Sequence, residues 1–513
     1  MTNEVDIQPV EINPMDEYNR SLVSNVHPPD WNNPAPAPMY NLVVIGAGTA
    51  GLVTAAGAAG LGAKVALVER HLMGGDCLNV GCVPSKCLIR SSRAFADVRD
   101  ARDFGVIVPD GSEVDFPAVM ERMRRLRARI SANDSAARYR DELGVDVFVG
   151  DGRFAGPGIV EVEELKLRYR KAVIATGARA FEPPIEGLKK AGFLTNETVF
   201  SLTERPARLA VIGAGPLGCE LAQTFRRLGS EVYVLEMGPQ ILPREDRDAA
   251  NIVERAFATD GIELVLSCSL KKVETGPGGK VLSLSCGDEA RRIEVDEILV
   301  GVGRVPNVDG LNLESVGVGY DARKGVHVDD RLRTTNPKIF AAGDICLAYK
   351  FTHTADASAR IVIQNALFWG RKKAGVLTIP WCTFTDPEIA HVGMYDKDAE
   401  ARGIPVQTYT VPMGDVDRAL ADGEEDGMVR VHVKKGTDTI LGATIVARHA
   451  GEMISEISVA MQAKMGLGSL SSVIHPYPTQ AEAIRRAADA YNRTRLTPAV
   501  KGIFDRLLRF QRR

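Results

Sequence analysis

The sequence has 513 residues, with 63 Lys and Arg against 66 Asp and Glu and a formal net charge of −3. At about 100–200 residues per domain, this length predicts three or four domains, and the near-neutral charge excludes a globally basic binder of nucleic acid. The 45% share of hydrophobic residues argues against wholesale disorder. The 8 cysteines are too few for a disulfide scaffold, so we expect any special thiols to be catalytic or metal-binding.

The N-terminal region predicts no secretory signal, because its first residues are acidic and no cationic segment precedes an apolar core. We therefore expect a cytoplasmic location. Residues 1–38 are rich in Pro, Asn and Asp, and we expect an extended arm on the surface. Residues 42–63 carry no charge and are long enough to span a bilayer, but β-formers, glycines and small residues follow one another there. This order predicts a strand, a turn and a helix instead of a membrane span.

A first dinucleotide fingerprint follows the predicted strand at residues 42–45. It reads Gly46-x-Gly48-x-x-Gly51, and the next predicted strand, residues 64–68, leads into Glu69. Glycines let the backbone approach a pyrophosphate at a helix N-terminus, and the carboxylate accepts hydrogen bonds from a ribose. The combination predicts a nucleotide-binding domain.

The same pattern recurs after the predicted strand at residues 209–212. It reads Gly213-x-Gly215-x-x-Gly218, and the strand at residues 231–235 leads into Glu236. Two fingerprints predict an α/β fold class with two Rossmann-like dinucleotide-binding domains. Glu236 favours NADH over NADPH, because a carboxylate binds a free ribose 2′-hydroxyl and repels a 2′-phosphate.

Two cysteines, Cys77 and Cys82, lie shortly after the first fingerprint, and Lys86 follows four residues later. Such a pair can close a small disulfide loop, ligate a metal or simply pack. A zinc site needs four ligands, and the neighbouring sequence offers only His71, so we predict no metal site. A nearby cation lowers a thiol pKa from about 8.5, which favours a reactive thiolate beside a nucleotide site.

Several motifs together resemble the FAD-dependent pyridine nucleotide–disulfide oxidoreductases, class I, and most closely their mercuric reductase-like members, which are related to dihydrolipoamide dehydrogenase. The resemblance covers about residues 39–497. The matching segments are the first fingerprint, the Cys77–Cys82 segment, residues 175–177 (Ala-Thr-Gly), residues 301–307 (Gly-Val-Gly-Arg-Val-Pro-Asn), residues 341–344 (Ala-Ala-Gly-Asp) and residues 384–393.

The resemblance implies an N-terminal extension at residues 1–38 and a discontinuous FAD-binding domain at residues 39–183 and 304–376. An NAD-binding domain would lie between them at residues 184–303, and an α+β dimerisation domain at residues 377–513. In this domain we expect a strand at residues 428–433 and a helix at residues 452–465. The protein would act as a homodimer on a small-molecule or metal-ion substrate.

The resemblance also implies a role for individual residues. Cys77 and Cys82 would form the redox-active disulfide, with Cys82 next to the flavin and Cys77 facing the substrate. The implied cofactor contacts are Gly46, Gly48, Gly51, Glu69 and Gly152 for the ADP half of FAD, Thr176, Gly177 and Asp344 for its remainder, Lys86 paired with Glu220 beside the isoalloxazine, and Gly213, Gly215, Gly218, Glu236 and Gly303 for the nicotinamide dinucleotide.

The C-terminal substrate motif departs from the disulfide reductases, in which His-Pro-Thr-x-x-Glu supplies a base from the other subunit. In the register that keeps Pro478, Thr479 and Glu482, Tyr477 stands in the position of the base, and His475 is the alternative. A phenol with a pKa near 10 is a poorer base at neutral pH than an imidazole near 6.5. Tyr477 therefore favours a soft metal ion as the electron acceptor, although mercuric reductases also carry a C-terminal cysteine pair that this sequence lacks.

Three functions stay open at this stage. The leading one is an NADH-dependent flavoenzyme whose dithiol reduces a soft metal ion or a disulfide, like dihydrolipoamide dehydrogenase in the latter case. It predicts a yellow protein with a thiolate–flavin charge-transfer band that Cys82→Ser abolishes. The alternatives are a flavin and thiol redox sensor with negligible turnover and a thiol metal-binding protein without catalysis.

The end of the chain predicts a basic amphipathic helix that begins with Thr497 as N-cap and Pro498 at the first helical position. We favour a helix that covers its own domain over one that contacts a membrane. The acidic segment at residues 415–426 is interpreted as a solvated loop. The remaining cysteines, including Cys268 and Cys286, are interpreted as packing residues.

Overall fold

A computed structural model describes residue 10 and residues 12–512. The chain divides into two compact units. The first contains the described residues up to Gly213, together with Thr224–Met237 and Cys268–Leu377. The second contains Ala214–Gln223, Gly238–Ser267 and the described residues from Thr378 onward.

The α-helices of the described chain are numbered α1 to α16. In order they are Glu17–Val26, Thr49–Gly60, Gly75–Asn79, Cys82–Arg99, Phe116–Ser131, Ala136–Asp141, Leu188–Ala191, Pro216–Arg227, Arg247–Asp260, Thr352–Leu367, Asp396–Ala401, Asp417–Asp422, Ala450–Gln462, Leu467–Leu470, Glu482–Thr494 and Pro498–Gln511. Short 3-10 helices lie at Ala101–Phe104, Ala132–Asp134, Val199–Ser201, Leu313–Val316, Gly343–Ile345, Ala374–Val376 and Met413–Asp415.

The strands of the described chain are numbered β1 to β23. In order they are Tyr40–Ile45, Val65–Glu69, Asp146–Val149, Gly152–Phe154, Ile159–Val162, Leu165–Ile174, Ala178–Ala180, Arg208–Ile212, Glu231–Leu235, Glu263–Val265, Cys268–Gly276, Gly279–Cys286, Glu289–Val295, Glu297–Val300, Arg304–Pro306, Tyr320–Asp321, Gly325–Val326, Ile339–Ala341, Pro380–Thr383, Glu388–Gly393, Val406–Pro412, Met428–Lys434 and Ile440–Ala447.

A seven-stranded sheet forms the centre of the first unit, in the order β3-β2-β1-β6-β5-β4 with β18 beside β6. Strands β1, β2, β3, β6 and β18 run parallel, whereas β4 and β5 join antiparallel. The parallel strands are rich in Val and Ile and are buried on both faces, as a covered parallel sheet requires. The sheet presents the turn after β1 and the end of β2 at one edge, where parallel-sheet sites form.

Residues 42–63 form the last part of β1, a glycine turn and helix α2, so the predicted strand, turn and helix are confirmed. No helix of the described residues is long and apolar enough to cross a membrane. The cytoplasmic location stays a prediction.

The N-terminal segment is not the extended arm that we expected. Its residues 1–9 and 11 lie outside the described residues, but Asp16 caps α1 by accepting a hydrogen bond from the Asn19 amide at 2.9 Å. Leu22, Val26 and Trp31 are buried in the same core cluster as β1 and β2. The prediction was wrong because α1 has only 10 residues, so its apolar residues give little periodicity in the sequence. Such a short helix is stabilised by tertiary packing, which the sequence alone does not show.

A second parallel arrangement in the first unit places β8 between β9 and β14. Strands β11, β12 and β13 then form an antiparallel meander. Cys268 and Cys286 face each other on β11 and β12 and form a disulfide. The interpretation of these two cysteines as simple packing residues was therefore wrong, since only the strand register, which the sequence alone did not reveal, brings them together.

The second unit contains a five-stranded antiparallel sheet in the order β19-β20-β23-β22-β21. The predicted strand at residues 428–433 is β22, and the predicted helix at residues 452–465 is α13, which begins and ends slightly earlier. Helices α13, α14 and α15 bury apolar residues in the same core cluster as this sheet. The arrangement is the α+β class expected for this part of the chain.

Replacing Trp31 by Ala tests whether the N-terminal segment belongs to the core. The Trp31 side chain is 6% exposed, and its indole N–H donates to the Val147 carbonyl at 3.2 Å. We expect a loss of about 3–5 kcal/mol in the free energy of unfolding of the first unit, measured as a lower midpoint of chemical or thermal unfolding.

The matched control is Trp369→Ala, because the Trp369 side chain is 92% exposed. This change should cost no more than about 0.5 kcal/mol. Equal unfolding midpoints for the two variants would contradict a structural role for the N-terminal segment.

Candidate functional site

The first glycine turn lies between β1 and α2 in a conformation that excludes side chains. Gly46 has φ +101°, and a Cβ on it would lie 2.4 Å from the Ala175 carbonyl oxygen. A Cβ on Gly51 would lie 1.8 Å from the Gly46 carbonyl oxygen. Helix α2 begins at Thr49, and its N-cap Gly48 offers no capping side chain. The first amides of α2 therefore remain available to an anionic group.

The carboxylate of Glu69 lies beside this turn at the end of β2. It accepts hydrogen bonds from the Ala47 amide at 2.6 Å and from the His71 amide at 2.9 Å. Burial raises the pKa of Glu69, while these two amides act in the opposite direction. Nearby, a Cβ on Gly152 would approach Val68 Cγ1 at 2.9 Å. This strand-end carboxylate and glycine turn fit the adenosine half of a dinucleotide.

A second turn, residues 74–82, packs directly on the first glycine turn. The Gly74 amide donates to the Ala47 carbonyl at 2.8 Å. Gly75 has φ +57°, and a Cβ on it would lie 2.6 Å from Gly48 Cα. Glycine is therefore required at residue 75, and it brings the cysteine-bearing turn into backbone contact with the nucleotide-binding turn.

The two cysteines lie in successive helices, and only Cys82 lies at a helix N-terminus. Cys77 is in the short helix α3, and Cys82 is the first residue of the 18-residue helix α4. A helix N-terminus stabilises negative charge, so the thiolate form is favoured at Cys82. Lys86 lies about one turn further along α4 and is half-buried.

The two thiols influence each other and a neighbouring hydroxyl. A hydrogen bond with Cys82 raises the pKa of Cys77, and burial raises it further, whereas Thr352 lowers it. Thr352 begins α10, and its Oγ1 lies 3.5 Å from Cys82 Sγ. The arrangement favours a protonated Cys77.

Arg304 connects the cysteine turn to a second loop. Its guanidinium forms an ion pair with Asp76, lies 3.6 Å from Asp344 and donates to the Ala178 carbonyl at 2.8 Å. Arg304 lies in the matching segment at residues 301–307, but no role was predicted for it. Its partner Asp76 is distant in the sequence, so only the three-dimensional structure reveals the ion pair.

Arg127 of α5 supports the same turn from the N-terminal side. Its guanidinium donates to the Asn79 carbonyl and to Asn19 Oδ1, both at 2.7 Å. Burial lowers the pKa of Arg127 to about 10. The turn between Cys77 and Cys82 is thus connected through one side chain to helix α1, which nothing in the sequence had indicated.

Asp344 and the segment at residues 175–177 occupy the remaining predicted FAD positions. Asp344 lies in the 3-10 helix Gly343–Ile345. Burial raises its pKa, whereas Arg304 and Lys350 lower it. Thr176 Oγ1 donates to the Asn307 carbonyl at 2.9 Å, and the Thr176 carbonyl accepts from Asn307 Nδ2 at 2.9 Å. Gly177 has φ +66° and open space where a Cβ would lie.

These positions in the first unit fit a flavin dinucleotide. The turn after β1 leaves no room for side chains, helix α2 has no capping side chain, and buried carboxylates lie at both Glu69 and Asp344. In addition, the buried hydroxyl of Thr354 has no hydrogen-bond partner among the described residues. The backbone amides of the glycine turn can donate to an anionic group, and the two carboxylates can accept hydrogen bonds from the ribose and ribityl hydroxyls.

The second fingerprint has the same local geometry at its start. Gly213 has φ +97°, and its Cβ would lie 2.8 Å from the Gly301 carbonyl oxygen. A Cβ on Gly303, which has φ +120°, would meet open space, as would one on Gly215. Gly218 lies in α8 and Glu236 directly follows β9. The order of strand, glycine turn, helix and strand along the chain is that of a nucleotide-binding fingerprint.

The predicted substrate residues of the second unit, His475 and Tyr477, differ in their exposure and in their hydrogen-bond partners. His475 Nε2 lies 3.0 Å from Glu456 Oε1, and the imidazole is only 5% exposed. Tyr477 is 71% exposed, and its hydroxyl donates to Asp417 Oδ2 at 2.9 Å. The Asp417 hydrogen bond raises the pKa of Tyr477, so the phenol stays neutral at physiological pH.

Glu482 and Glu220 have partners that the sequence analysis did not name. Glu482 Oε1 pairs with Arg485 at 2.8 Å. Glu220 Oε1 accepts a hydrogen bond from the Phe384 amide at 2.9 Å. The pairing of Glu220 with Lys86 stays a prediction.

Two family comparisons cover most of the chain. Residues 40–359 match the pyridine nucleotide-disulphide oxidoreductase family, and residues 379–488 match the dimerisation domain of the same family. A mercuric reductase from Lysinibacillus sphaericus is 34% identical over 454 residues, which are 88% of this chain and 83% of the relative. A dihydrolipoyl dehydrogenase from Cupriavidus necator is 33% identical over 89% of this chain and 99% of its own length.

Solved structures show the same architecture. LpdA from Mycobacterium tuberculosis superposes with a TM-score of 0.81 and 28% identity, covering 88% of this chain and 99% of that one. The HOCl-induced flavoprotein disulfide reductase RclA from Escherichia coli gives a TM-score of 0.78 and 27% identity, covering 87% and 99%. A Cu(II) complex of RclA matches equally well in TM-score.

Replacing Thr352 by Val tests the hydroxyl beside the thiol pair. Thr352 lowers the pKa of Cys77, so its removal should shift the alkylation of Cys77 by iodoacetamide to higher pH. Because a hydrogen bond to a charged group contributes about 1.5–3 kcal/mol, we expect a rate at neutral pH that is roughly tenfold lower.

The conservative variant Thr352→Ser keeps the hydroxyl and should restore the wild-type pH profile. Coinciding profiles for the wild type, Thr352→Val and Thr352→Ser would exclude an electrostatic role for this hydroxyl.

Proposed function

The chain belongs to the pyridine nucleotide-disulphide oxidoreductase family, and on this premise we propose that it reduces a soft metal ion such as mercuric ion, with NADH as electron donor. FAD and NAD(P)H are the cofactors of this family. The observation that carries the choice of acceptor is the exposed Tyr477 phenol next to a His475 that is buried against Glu456.

The proposed cofactor contacts are those with the matching local geometry. Gly46, Gly48 and Glu69 would hold the adenosine and pyrophosphate of FAD, and Asp344 the ribityl chain. When bound, FAD supplies two-electron transfer between the nicotinamide and the Cys77–Cys82 disulfide. The remaining proposed flavin contacts are Gly51, Gly152, Thr176, Gly177 and Lys86 with Glu220.

We propose that NADH is held by the second fingerprint, with Gly213, Gly215 and Gly218 at the pyrophosphate and Gly303 nearby. Glu236 would accept hydrogen bonds from the ribose hydroxyls and repel a 2′-phosphate. This supports NADH over NADPH. The proposed FAD-binding domain consists of residues 39–183 and 304–376, and the proposed NAD-binding domain of residues 184–303.

The two cysteines have separate proposed tasks. Cys82 at the start of α4 would hold the charged sulfur beside the cofactor, because the helix N-terminus stabilises a thiolate there. Cys77, whose pKa is raised by Cys82 and by burial, would remain a protonated thiol until a substrate binds. A soft cation displaces that proton, since thiolates are its preferred ligands.

The proton balance separates metal from disulfide substrates. Reduction of a mercuric ion by NADH yields elemental mercury, NAD⁺ and one released proton. Reduction of a disulfide by NADH yields two thiols and NAD⁺, and it consumes one proton. Only the disulfide reaction requires a group that delivers protons to sulfur, which an imidazole does well and a phenol does poorly near neutral pH.

Tyr477 supports the metal reaction for this reason. Its hydroxyl stays protonated, because Asp417 raises the pKa of Tyr477, and it would serve as a hydrogen-bond donor toward the ligands of the metal ion. We further propose a homodimer, in keeping with the match to the dimerisation domain, in which Tyr477 would act on the thiol pair of the partner subunit.

A disulfide reductase of the dihydrolipoamide dehydrogenase type is the second candidate. It is favoured by the contact between His475 and Glu456 at 3.0 Å, because a carboxylate at this distance orients an imidazole as a base. A redox sensor would use the same thiol pair with little turnover.

The first test concerns the thiol pair. Anaerobic addition of NADH should produce a long-wavelength charge-transfer absorbance in the yellow wild-type protein, and Cys82→Ser should abolish it. Cys87→Ser is the matched control, because Cys87 lies in the same helix, and it should retain the band. A band that persists in Cys82→Ser would contradict the assignment of the charged sulfur.

The second test compares electron acceptors with NADH as donor. Mercuric ion should be reduced with release of one proton per NADH, while lipoamide, glutathione disulfide and dioxygen should react at least about a hundredfold more slowly. Tyr477→Phe should lower mercuric turnover roughly tenfold. Ile474→Ala changes a neighbouring side chain that is 94% exposed and should have little effect.

Fast lipoamide turnover that His475→Gln abolishes and Tyr477→Phe leaves intact would replace the metal proposal by the disulfide reductase. Negligible turnover with every acceptor would favour the redox sensor.

A further inference from the structure

The C-terminal helix α16 is an amphipathic helix with no partner in the described chain. It begins after Thr497, whose Oγ1 accepts a hydrogen bond from the Val500 amide at 3.4 Å, and has Pro498 at its first position. This confirms the predicted cap. None of the described residues from Pro498 to Gln511 is buried, so the preferred interpretation, a helix that covers its own domain, was wrong.

One face of α16 is apolar along its whole length. The spacing of Val500, Ile503, Phe504, Leu507 and Leu508 places them on one side of a helix with 3.6 residues per turn, and Phe510 lies at the edge of this face. The apolar side chains from Ile503 to Phe510 are between 48% and 76% exposed. An apolar face of this size normally marks an interaction surface.

The opposite face and its edges are cationic. This part of the helix carries four cations, Lys501, Arg506, Arg509 and Arg512, but only one carboxylate. The carboxylate is Asp505, which pairs with Arg509 at 2.7 Å. This helix therefore carries an excess of positive charge, whereas the whole chain has a net charge of −3. The helix also lies beyond residue 488, where the match to the dimerisation domain ends.

The acidic segment of the chain does not offer a complementary surface. Residues 415–426 contain α12 and are not the solvated loop that we expected. Four of the six carboxylates pair within the second unit: Asp417 with Arg486 at 3.5 Å, Asp422 with Arg418 at 2.7 Å, Glu424 with Arg448 at 3.1 Å and Asp426 with Arg255 at 3.4 Å. Carboxylates that are already paired give a second copy less electrostatic attraction for α16.

We propose that α16 docks the protein on a membrane surface that contains anionic phospholipid. At 14 residues the helix is too short to span a bilayer, so it lies in the interface. Its apolar face inserts among the acyl chains, and its cations contact the headgroups. Long Lys and Arg side chains at the edges of the apolar face reach the headgroup level. This inference does not depend on the electron acceptor.

The test is cosedimentation of the full-length flavoprotein with vesicles. Vesicles of phosphatidylcholine with phosphatidylglycerol should bind the protein at low salt, and vesicles of phosphatidylcholine alone should bind it far less. The double variant Phe504→Glu/Leu507→Glu should reduce the bound fraction at least tenfold. Lys501→Gln/Arg506→Gln should weaken binding about tenfold or more and reduce its dependence on salt.

Matched controls change exposed residues far along the sequence from α16. Ile107→Glu replaces a side chain that is 88% exposed, and Lys189→Gln removes a cation that is 91% exposed. Both should bind like the wild type, and the flavin absorbance of every variant reports its folding. No binding to anionic vesicles at low salt, or equal binding by the α16 variants and the controls, would overturn the proposal.

The same variant also tests whether the partner of α16 is a second copy of the chain instead of a membrane. If Phe504→Glu/Leu507→Glu converts a dimer to a monomer in gel filtration without lipid, the helix covers a subunit interface and the proposal is wrong. An unchanged oligomeric state together with lost vesicle binding supports it.

Discussion

The close approach of two backbones, at Gly48 and Gly75, is the constraint on which the site depends. A Cβ at residue 75 would lie 2.6 Å from Gly48 Cα, and the Gly74 amide bonds to the Ala47 carbonyl. The turn that carries Cys77 is therefore held against the turn that precedes α2. Any group bound at the N-terminus of α2 lies next to the cysteine segment, which is why nucleotide and thiol chemistry can be combined in one small region.

Two arginines fix the position of that segment from different sides. Arg304 links Asp76 to the loop that contains Asp344, and Arg127 links the Asn79 carbonyl to helix α1. The buried charge of Arg127 needs partners that satisfy it, and the half-buried Arg304 lies between two carboxylates. Both arginines therefore favour one arrangement of the turn. The N-terminal helix thereby stabilises the cysteine segment without contributing a reactive group.

Local patterns were sufficient for much of this account. The strand, turn and helix at each glycine fingerprint and the cap at Thr497 depend on residues that are close in sequence, and these local structures were predicted correctly. The disulfide between Cys268 and Cys286 and the ion pair between Asp76 and Arg304 depend on the register of distant segments, which periodicity does not reveal. The N-terminal helix was missed because its stability comes from burial of residues such as Leu22 against the sheet.

Differential alkylation of the NADH-reduced protein, followed by peptide mapping, tests the central claim most directly. The account predicts that anaerobic NADH exposes new thiols at Cys77 and Cys82 alone, while the disulfide between Cys268 and Cys286 stays intact. New thiols at Cys268 and Cys286, with no NADH-dependent change at Cys77 and Cys82, would contradict it.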